Sequence, residues 1–334
     1  MSKSNIEIRQ AADQDIPAII DLLKASLGES FLPKSERYWR WKHIDNPFGR
    51  SPVLVATEEG VIVGVRAFMR WQWKTSTQTI HAVRAVDTAT HPSAQGRGIF
   101  TKLTMALIED GRQQNFDLVF NTPNEKSMPG YLKMGWKKAG KLPLELNISH
   151  PVNMIFHGVL KQHASLPDTS DGSVDTILSD PRIAGLLGDF QKLSQDKFST
   201  DFTPQYLRWR YTTIPVAAYY AAKIERGNDL RTVLIYRLKA TRWGVEFRVA
   251  DAFYRHPEER KPLRRLISEE ARRQKAAFIS RSGADGLSIL PGLLTKNVAI
   301  IGPMVTVRDI LPDRAAQLMN FENWSPSLGD MELF

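Results

Sequence analysis

The chain has 334 residues, 42% of them hydrophobic, with 45 Lys and Arg against 36 Asp and Glu for a net charge of +9. A single core rarely grows past about 250–300 residues, so two domains are expected, and the apolar fraction excludes a disordered chain. No run reaches the roughly 20 apolar residues of a membrane helix, export is not expected because the first residues turn polar and acidic where a signal peptide would place its apolar core, and the absence of cysteine excludes disulfides, thiolate nucleophiles and Cys-based metal sites.

In chain order, Ile6 to Ile8 alternates like an edge strand, and Asp13 or Asp15 caps a helix with apolar positions Ile16, Ile19, Ile20, Leu22 and Leu23. A second helix carries Tyr38, Trp39 and Trp41 and ends at Asn46-Pro47, since proline disfavours helical backbone in the residue before it. Strands are predicted over 52–56, 61–73 and 79–88, separated by the turn-like Glu58-Glu59-Gly60 and a polar stretch at 74–78. A helix follows from about Gly98 to Gln113, with Ile99, Leu103 and Leu107 on one face. Residues 118–121 read as a short buried strand, 127–134 as a short helix, and 136–148 as a strand pair or one long strand. A Pro-, Asp- and Gly-containing stretch over 150–178 reads as a linker. Beyond it, strands are expected around 217–224, 232–238 and 245–253, ahead of a helix at 258–274.

The two parts echo one another. Tyr38, Arg40, Trp41 and Pro47 recur as Tyr206, Arg208, Trp209 and Pro215, an offset of 168. The run from Val83 to Asp87 is echoed by Phe247 to Asp251 at an offset of 164, and His91-Pro92 by His256-Pro257 at 165. Matches in one order at a nearly constant offset read as two copies of one unit; coincidence among Arg- and Trp-rich stretches is the alternative. The expected fold is mixed α/β, with two domains, each a mostly antiparallel twisted sheet with helices on both faces. Their expected limits are 1–149 and 179–334, joined by the 150–178 linker.

The segment from Ala85 to Phe100 runs from a strand through a glycine-rich turn into a helix start. Gly96 and Gly98 let backbone N–H groups converge as an anion nest, and the helix N-terminus favours a phosphate there. An ordinary strand-to-helix turn is the plainer alternative. No Gly-Lys-Ser/Thr follows, which excludes a P-loop, and a dinucleotide fingerprint lacks its third glycine. No His/Asp/Glu cluster has metal-ligand spacing, so no metal is expected.

Gln95, Gly98 and Phe100 fall on the three defined positions of the pattern Gln/Arg-x-x-Gly-x-Gly/Ala. Downstream, Asn124 precedes Tyr131-Leu132-Lys133-Met134-Gly135-Trp136. In this combination, roughly residues 4–148 resemble the GNAT superfamily of acyl-CoA-dependent N-acyltransferases, with Phe100 departing from the usual Gly or Ala. The resemblance implies acetyl-CoA as co-substrate, its pantetheine arm lying along Thr88, Ala89 and Thr90 as if it were an extra strand. The pyrophosphate would sit on the N–H groups of Gln95, Gly96, Arg97, Gly98, Ile99, Phe100 and Thr101. Asn124 would bond the cofactor or hold strand ends apart, and Tyr131 would protonate the departing thiolate, a task suited to a phenol with a pKa of about 10. A helix cap for Asn124 and a core aromatic for Tyr131 are the structural alternatives.

Asp87, an acid inside an apolar strand, is the preferred general base; the alternative is a carboxylate paired with Arg84 or another base, which its echo at Asp251 favours. Glu125 and His91 are weaker candidates, His91-Pro92 reading as a turn former. The second copy is not expected to bind cofactor, because its turn reads Arg260-Lys261-Pro262-Leu263, without glycine and preceded by Glu258-Glu259. The expected activity is acetyl transfer from acetyl-CoA to a primary amine of a small-molecule acceptor, an amino sugar being the first choice, by direct attack in a ternary complex. A non-catalytic CoA-binding sensor or scaffold is the alternative. A cytoplasmic protein is expected, with no membrane partner; evenly spread charge argues against nucleic acid, and a homodimer is compatible with the sequence.

Overall fold

The computed structural model describes residues 5–28, 32–149, 166, 174–193, 196–284, 296–298, 302–313 and 316–331. The first part runs β1 (Ile6–Gln10), α1 (Ile16–Leu27), α2 (Glu36–His43), then the antiparallel β2 (Val53–Glu58), β3 (Val61–Lys74) and β4 (Thr79–Thr90). Helix α3 (Ile99–Gln113) crosses to β5 (Leu118–Asn121), which lies parallel to β4, and α4 (Met128–Lys133), β6 (Lys137–Lys141) and β7 (Leu144–Ile148) follow. Local chemistry sets these limits. Pro17 occupies the first turn of α1, where its missing N–H costs nothing. Ser35 caps α2 by accepting from the Tyr38 amide at 3.2 Å. Asn46 turns the chain beyond α2, accepting from the Phe48 amide at 2.9 Å while donating to the Arg70 carbonyl at 3.0 Å.

The second part has α5 (Val174–Leu178), α6 (Ile183–Leu193), β8 (Ser199–Thr200) and α7 (Pro204–Leu207), then β9 (Tyr220–Arg226), β10 (Asp229–Thr241) and β11 (Gly244–Tyr254). Next come α8 (Arg260–Arg273), β12 (Phe278–Ser282) parallel to β11, β13 (Lys296–Val298), β14 (Met304–Asp309) and α9 (Leu328–Met331). An antiparallel run followed by a helical crossover to a parallel strand thus occurs in both parts. Of the expected linker, 174–178 is helical; the rest, apart from Leu166, lies outside the described residues.

Among the described residues the strands form two mainly antiparallel mixed sheets. One is ordered β1-β2-β3-β4-β5-β14-β6 with β8 on β3, the other β13-β7-β12-β11-β10-β9. Each part therefore lends a strand to the other: β7 lies between β12 and β13, and β14 between β5 and β6. The stretch 136–148 is two strands in two different sheets, and a division at 149 cuts across the hydrogen-bonded units. Alternation along a strand fixes which face is buried, not which strand lies beside it, so this exchange leaves no mark in the hydrophobic pattern.

One core joins the two parts, packing Trp41, Trp71, Trp73 and Phe120 with Tyr206, Trp209, Phe253 and Trp324. At its centre the Trp41 and Trp209 rings stack 4.6 Å apart, and each indole N–H donates to the other residue's carbonyl at 2.8 Å. The contact is reciprocal, each tryptophan supplying one donor and one acceptor to the other. The tail seals this junction: Arg84 of β4 donates to the Asp330 carbonyl at 2.5 Å, and Arg210 donates to the Gly329 carbonyl at 2.7 Å.

Candidate functional site

Strands β4 and β5 pair only where Ala82, Val83 and Arg84 face Leu118, Val119 and Phe120. Beyond that point β4 continues to Thr90, still bonded to β3, while β5 stops at Asn121. The two strands form a fork, and the β4 edge from Ala85 to Thr90 faces it.

At the end of β4 the chain turns through Gly96 and Gly98, with φ of 77° and 76°. Both values favour glycine, and no side chain caps the helix start at Gly98. The Lys102 amide donates to the Gly98 carbonyl at 3.0 Å, so the amides of the first turn precede the helical ladder. Helix α3 is seated by Gly64 on β3, where a Cβ would lie 2.6 Å from Ile99 Cγ2. Between the strand end and this turn lies a cleft of about 420 Å³. Thr88, Ala89, Thr90, Gln95, Gly96, Gly98, Ile99 and Phe100 line it, as does Ala94. Ser26 and Leu27, which the sequence analysis missed, close its far side, and the Ser26 hydroxyl donates to the Thr90 carbonyl at 3.2 Å.

Five predicted site residues lie outside the lining, Asp87 among them. Arg97 forks onto Glu58 at 2.8 and 2.9 Å, so its guanidinium serves the surface of the turn. Thr101 is exposed on α3. Asn124 is exposed and its Oδ1 accepts from the Ser127 amide at 2.9 Å, the helix-cap alternative. Tyr131 is buried behind Phe100, the two rings meeting edge to face at 5.6 Å. Its hydroxyl accepts from Arg66 Nη2 at 2.7 Å. Arg66 was not singled out from the sequence, although a cation between Val65 and Ala67 in an apolar strand was a signal. His91 shapes the turn, its ring accepting from the Ser93 amide at 3.3 Å.

Asp87 requires a correction. It is the extra residue of a bulge, since Arg66 pairs with Thr88 and Ala67 with Val86, and its φ of 40° is unusual for a side-chain-bearing residue. Its Oδ2 accepts from Lys42 Nζ at 2.7 Å and meets His43 Nε2 at 2.8 Å. Burial pushes this carboxyl up, but Lys42 and His43 outweigh it and hold it well below the usual carboxylate range. A carboxylate so stabilised is a poor proton acceptor. Its cation is Lys42 rather than Arg84, which instead binds the tail. The second part repeats the arrangement: Tyr211, at the position of His43, donates its hydroxyl to Asp251, at the position of Asp87. In the second part Asp251 pairs with Ile235 and Ala250 is the extra residue, so the acid meets the preceding helical segment in both parts but is itself the bulge only in the first.

The equivalent turn in the second part is filled by its own side chain. Glu259 sits fully buried at the start of α8 and accepts from Arg231 Nε at 2.9 Å, placing a carboxylate where an anion would bind. Among the described residues no group of three or more His, Asp and Glu is placed to hold a metal, and no helix is long and apolar enough to cross a membrane.

Residues 7–139 match the family model of an acetyltransferase (GNAT) domain. Among solved structures, the chain is similar to a GCN5-related N-acetyltransferase from Anabaena variabilis, at 17% identity and a TM-score of 0.68 over 93% of this chain and 74% of that one. A conserved protein of unknown function from Enterococcus faecalis, a probable N-acyltransferase, is similar at 11% identity and a TM-score of 0.68 over the same shares. Eis1 from Mycobacterium abscessus is similar at 15% identity and a TM-score of 0.57, over 94% of this chain and 76% of that one. No curated protein matches the chain.

Proposed function

We propose that the chain, whose residues 7–139 match the family model of an acetyltransferase (GNAT) domain, is an acyl-CoA-dependent N-acyltransferase with one acyl-CoA site, in its first part. The observation that carries this reading is the strand fork that opens into a glycine nest. A pantetheine arm has amides that bond to a free strand edge, and β4 offers one from Ala85 to Ala89, the Thr90 carbonyl already accepting from Ser26 and Gln95. The diphosphate is a dianion suited to the first-turn amides of α3 and the positive end of its dipole. The second part reads as a diverged copy that has lost the nest.

The amine of a small-molecule acceptor, an amino sugar being the first choice, attacks the thioester carbonyl directly. The new C–N bond forms as the C–S bond breaks, the electron pair leaves with sulfur, and Tyr131 supplies the proton that makes the thiol. The amine's own proton passes to water, Asp87 being held by Lys42 and His43. Proximity within a ternary complex supplies most of the rate.

Titration calorimetry with coenzyme A, paired with an assay of free thiol release from acetyl-CoA across amine acceptors, tests the reading; the cysteine-free chain gives no background. Binding without turnover on any amine favours a CoA-binding sensor, which the burial of Tyr131 at 4% exposure also favours. The absence of binding removes both.

A further inference from the structure

Arg66 is fully buried, and among the described residues no carboxylate pairs with it. Its guanidinium lies against the rings of Phe68, Phe100 and Tyr131, at 5.3 to 5.4 Å from each centroid. Only Nη2 is satisfied, by the Tyr131 hydroxyl at 2.7 Å; Nε and Nη1 have no hydrogen-bond partner. A buried cation without a counter-ion and with two idle donors is expensive, and proteins ordinarily neutralise one. The positive end of α3 lies directly above, since Ile99 rests on Gly64 and Phe100 on Arg66. Two positive features thus converge on Tyr131, and among the described residues no carboxylate answers them. The Phe100 departure fits the same arrangement: its ring covers the guanidinium face, which a Gly or Ala would leave bare.

We propose that Arg66 is a positioning residue for thioester cleavage, holding the Tyr131 hydroxyl by an oxygen lone pair so that its proton is aimed at the sulfur, and offsetting the negative charge that reaches that sulfur as the C–S bond breaks. This rests on the acyl-CoA reading above. Arg66 gains and loses no proton. The phenol proton moves to sulfur, and the phenolate left on Tyr131 stays beside the guanidinium until it regains a proton from water. The uncompensated cation of the resting chain is then matched by an anion at the step that needs it, as preorganised electrostatic stabilisation requires.

The thiol of bound coenzyme A reports this charge without any turnover. Its ultraviolet thiolate absorbance is followed against pH as a difference from the unliganded protein, which cancels the ionisation of the eight tyrosines, and no protein thiol contributes because the full chain has no cysteine. With wild-type protein the bound thiol ionises at lower pH than free coenzyme A. Arg66→Met moves that midpoint up by about one pH unit, the scale expected of a lost neighbouring charge, and Arg66→Lys recovers part of it. Thiol release from acetyl-CoA, with hydroxylamine as the surrogate acceptor, gives the second readout. Arg66→Met lowers kcat at least tenfold with KM for acetyl-CoA unchanged, and has little further effect in a Tyr131→Phe background. Equal losses in both backgrounds, or a bound thiol whose midpoint ignores residue 66 in both variants, overturn the role of Arg66 while leaving the acyl-CoA reading intact. Wild-type protein that binds no coenzyme A overturns that reading, and this inference with it.

Discussion

Asp87→Asn separates a structural acid from a catalytic base. Lys42 is 4% exposed, and Asp87 is its carboxylate partner at 2.7 Å. Burial alone pushes the Lys42 ammonium down, but Asp87 and Tyr38 reverse this and hold it above its ordinary value. Removing the carboxylate leaves a buried cation uncompensated, which costs about 3–5 kcal/mol, the lower figure applying because the Asn oxygen still accepts one bond. At roughly 2.1 cal/mol/K of unfolding entropy per residue, 3 kcal/mol lowers the midpoint of this 334-residue chain by about 4 °C. Acid sensitivity gives the second signature. Asp87 is depressed in the folded chain, so its contribution is complete above the unfolded carboxylate value of about 3.9 and is lost as pH falls further. Burial likewise lowers His43, Asp87 opposing it, so a further contribution is complete above about pH 6.5 and is lost below it. Urea unfolding between pH 8 and pH 3, on wild type and Asp87→Asn, therefore gives wild-type stability falling in two stages; the variant starts lower and has a shallower acidic stage, carried by the other depressed carboxylates such as Asp15 and Asp180. A variant with unchanged unfolding at every pH but a large loss in kcat would refute the reasoning and return Asp87 to the role of base.

Gly98→Ala forces a side chain onto φ of 76° with no neighbour within 4 Å of the new methyl, so stability falls by about 1 kcal/mol by urea unfolding while coenzyme A affinity falls about tenfold by calorimetry. Tyr131→Phe lowers kcat for thiol release about 100-fold with coenzyme A affinity unchanged. Trp41→Phe and Trp209→Phe each remove one of the two reciprocal indole bonds and cost about 1–2 kcal/mol in denaturant unfolding, Trp41→Phe the less because the Trp209 carbonyl keeps the Thr213 hydroxyl at 3.1 Å.

Local signals were legible where one segment carries them whole. The β4–turn–α3 run announced its strand, its glycines and its helix face, and the lining of the cleft follows that run. The recurrence of Trp41 and Trp209 was legible, though their stacking on one another was not. What escaped were relations between segments. Nothing in Asp87 says that Lys42 and His43 lie beside it, since both come from α2, forty-five and forty-four positions earlier. Arg66 looked like one cation among many, its meaning residing in the rings of Phe100 and Tyr131 around it. The strand exchange was invisible for the same reason: Leu144–Ile148 has the alternation of a strand suited to either sheet.

That exchange explains why a part without a nest of its own still bears on the site. The fork exists because β5 ends early, and β5 is held on its far side by β14, a strand of the second part. Thr306 of β14 donates its hydroxyl to Asn121 Oδ1 at 2.5 Å, fixing the last residue of β5. Two positions on, Arg308 donates to the Met134 carbonyl at the end of α4 and lies 5.4 Å from the Trp136 ring. Trp136 in turn meets Tyr131 edge to face at 5.2 Å. The strand that closes the first sheet thus also fixes the helix that presents Tyr131, and the tail that follows it binds Arg84 at the last paired position of β4. One arm of the fork belongs to the first part and is braced by the second. The strand and tail of the second part thus set the geometry both of the fork and of the helix that carries Tyr131.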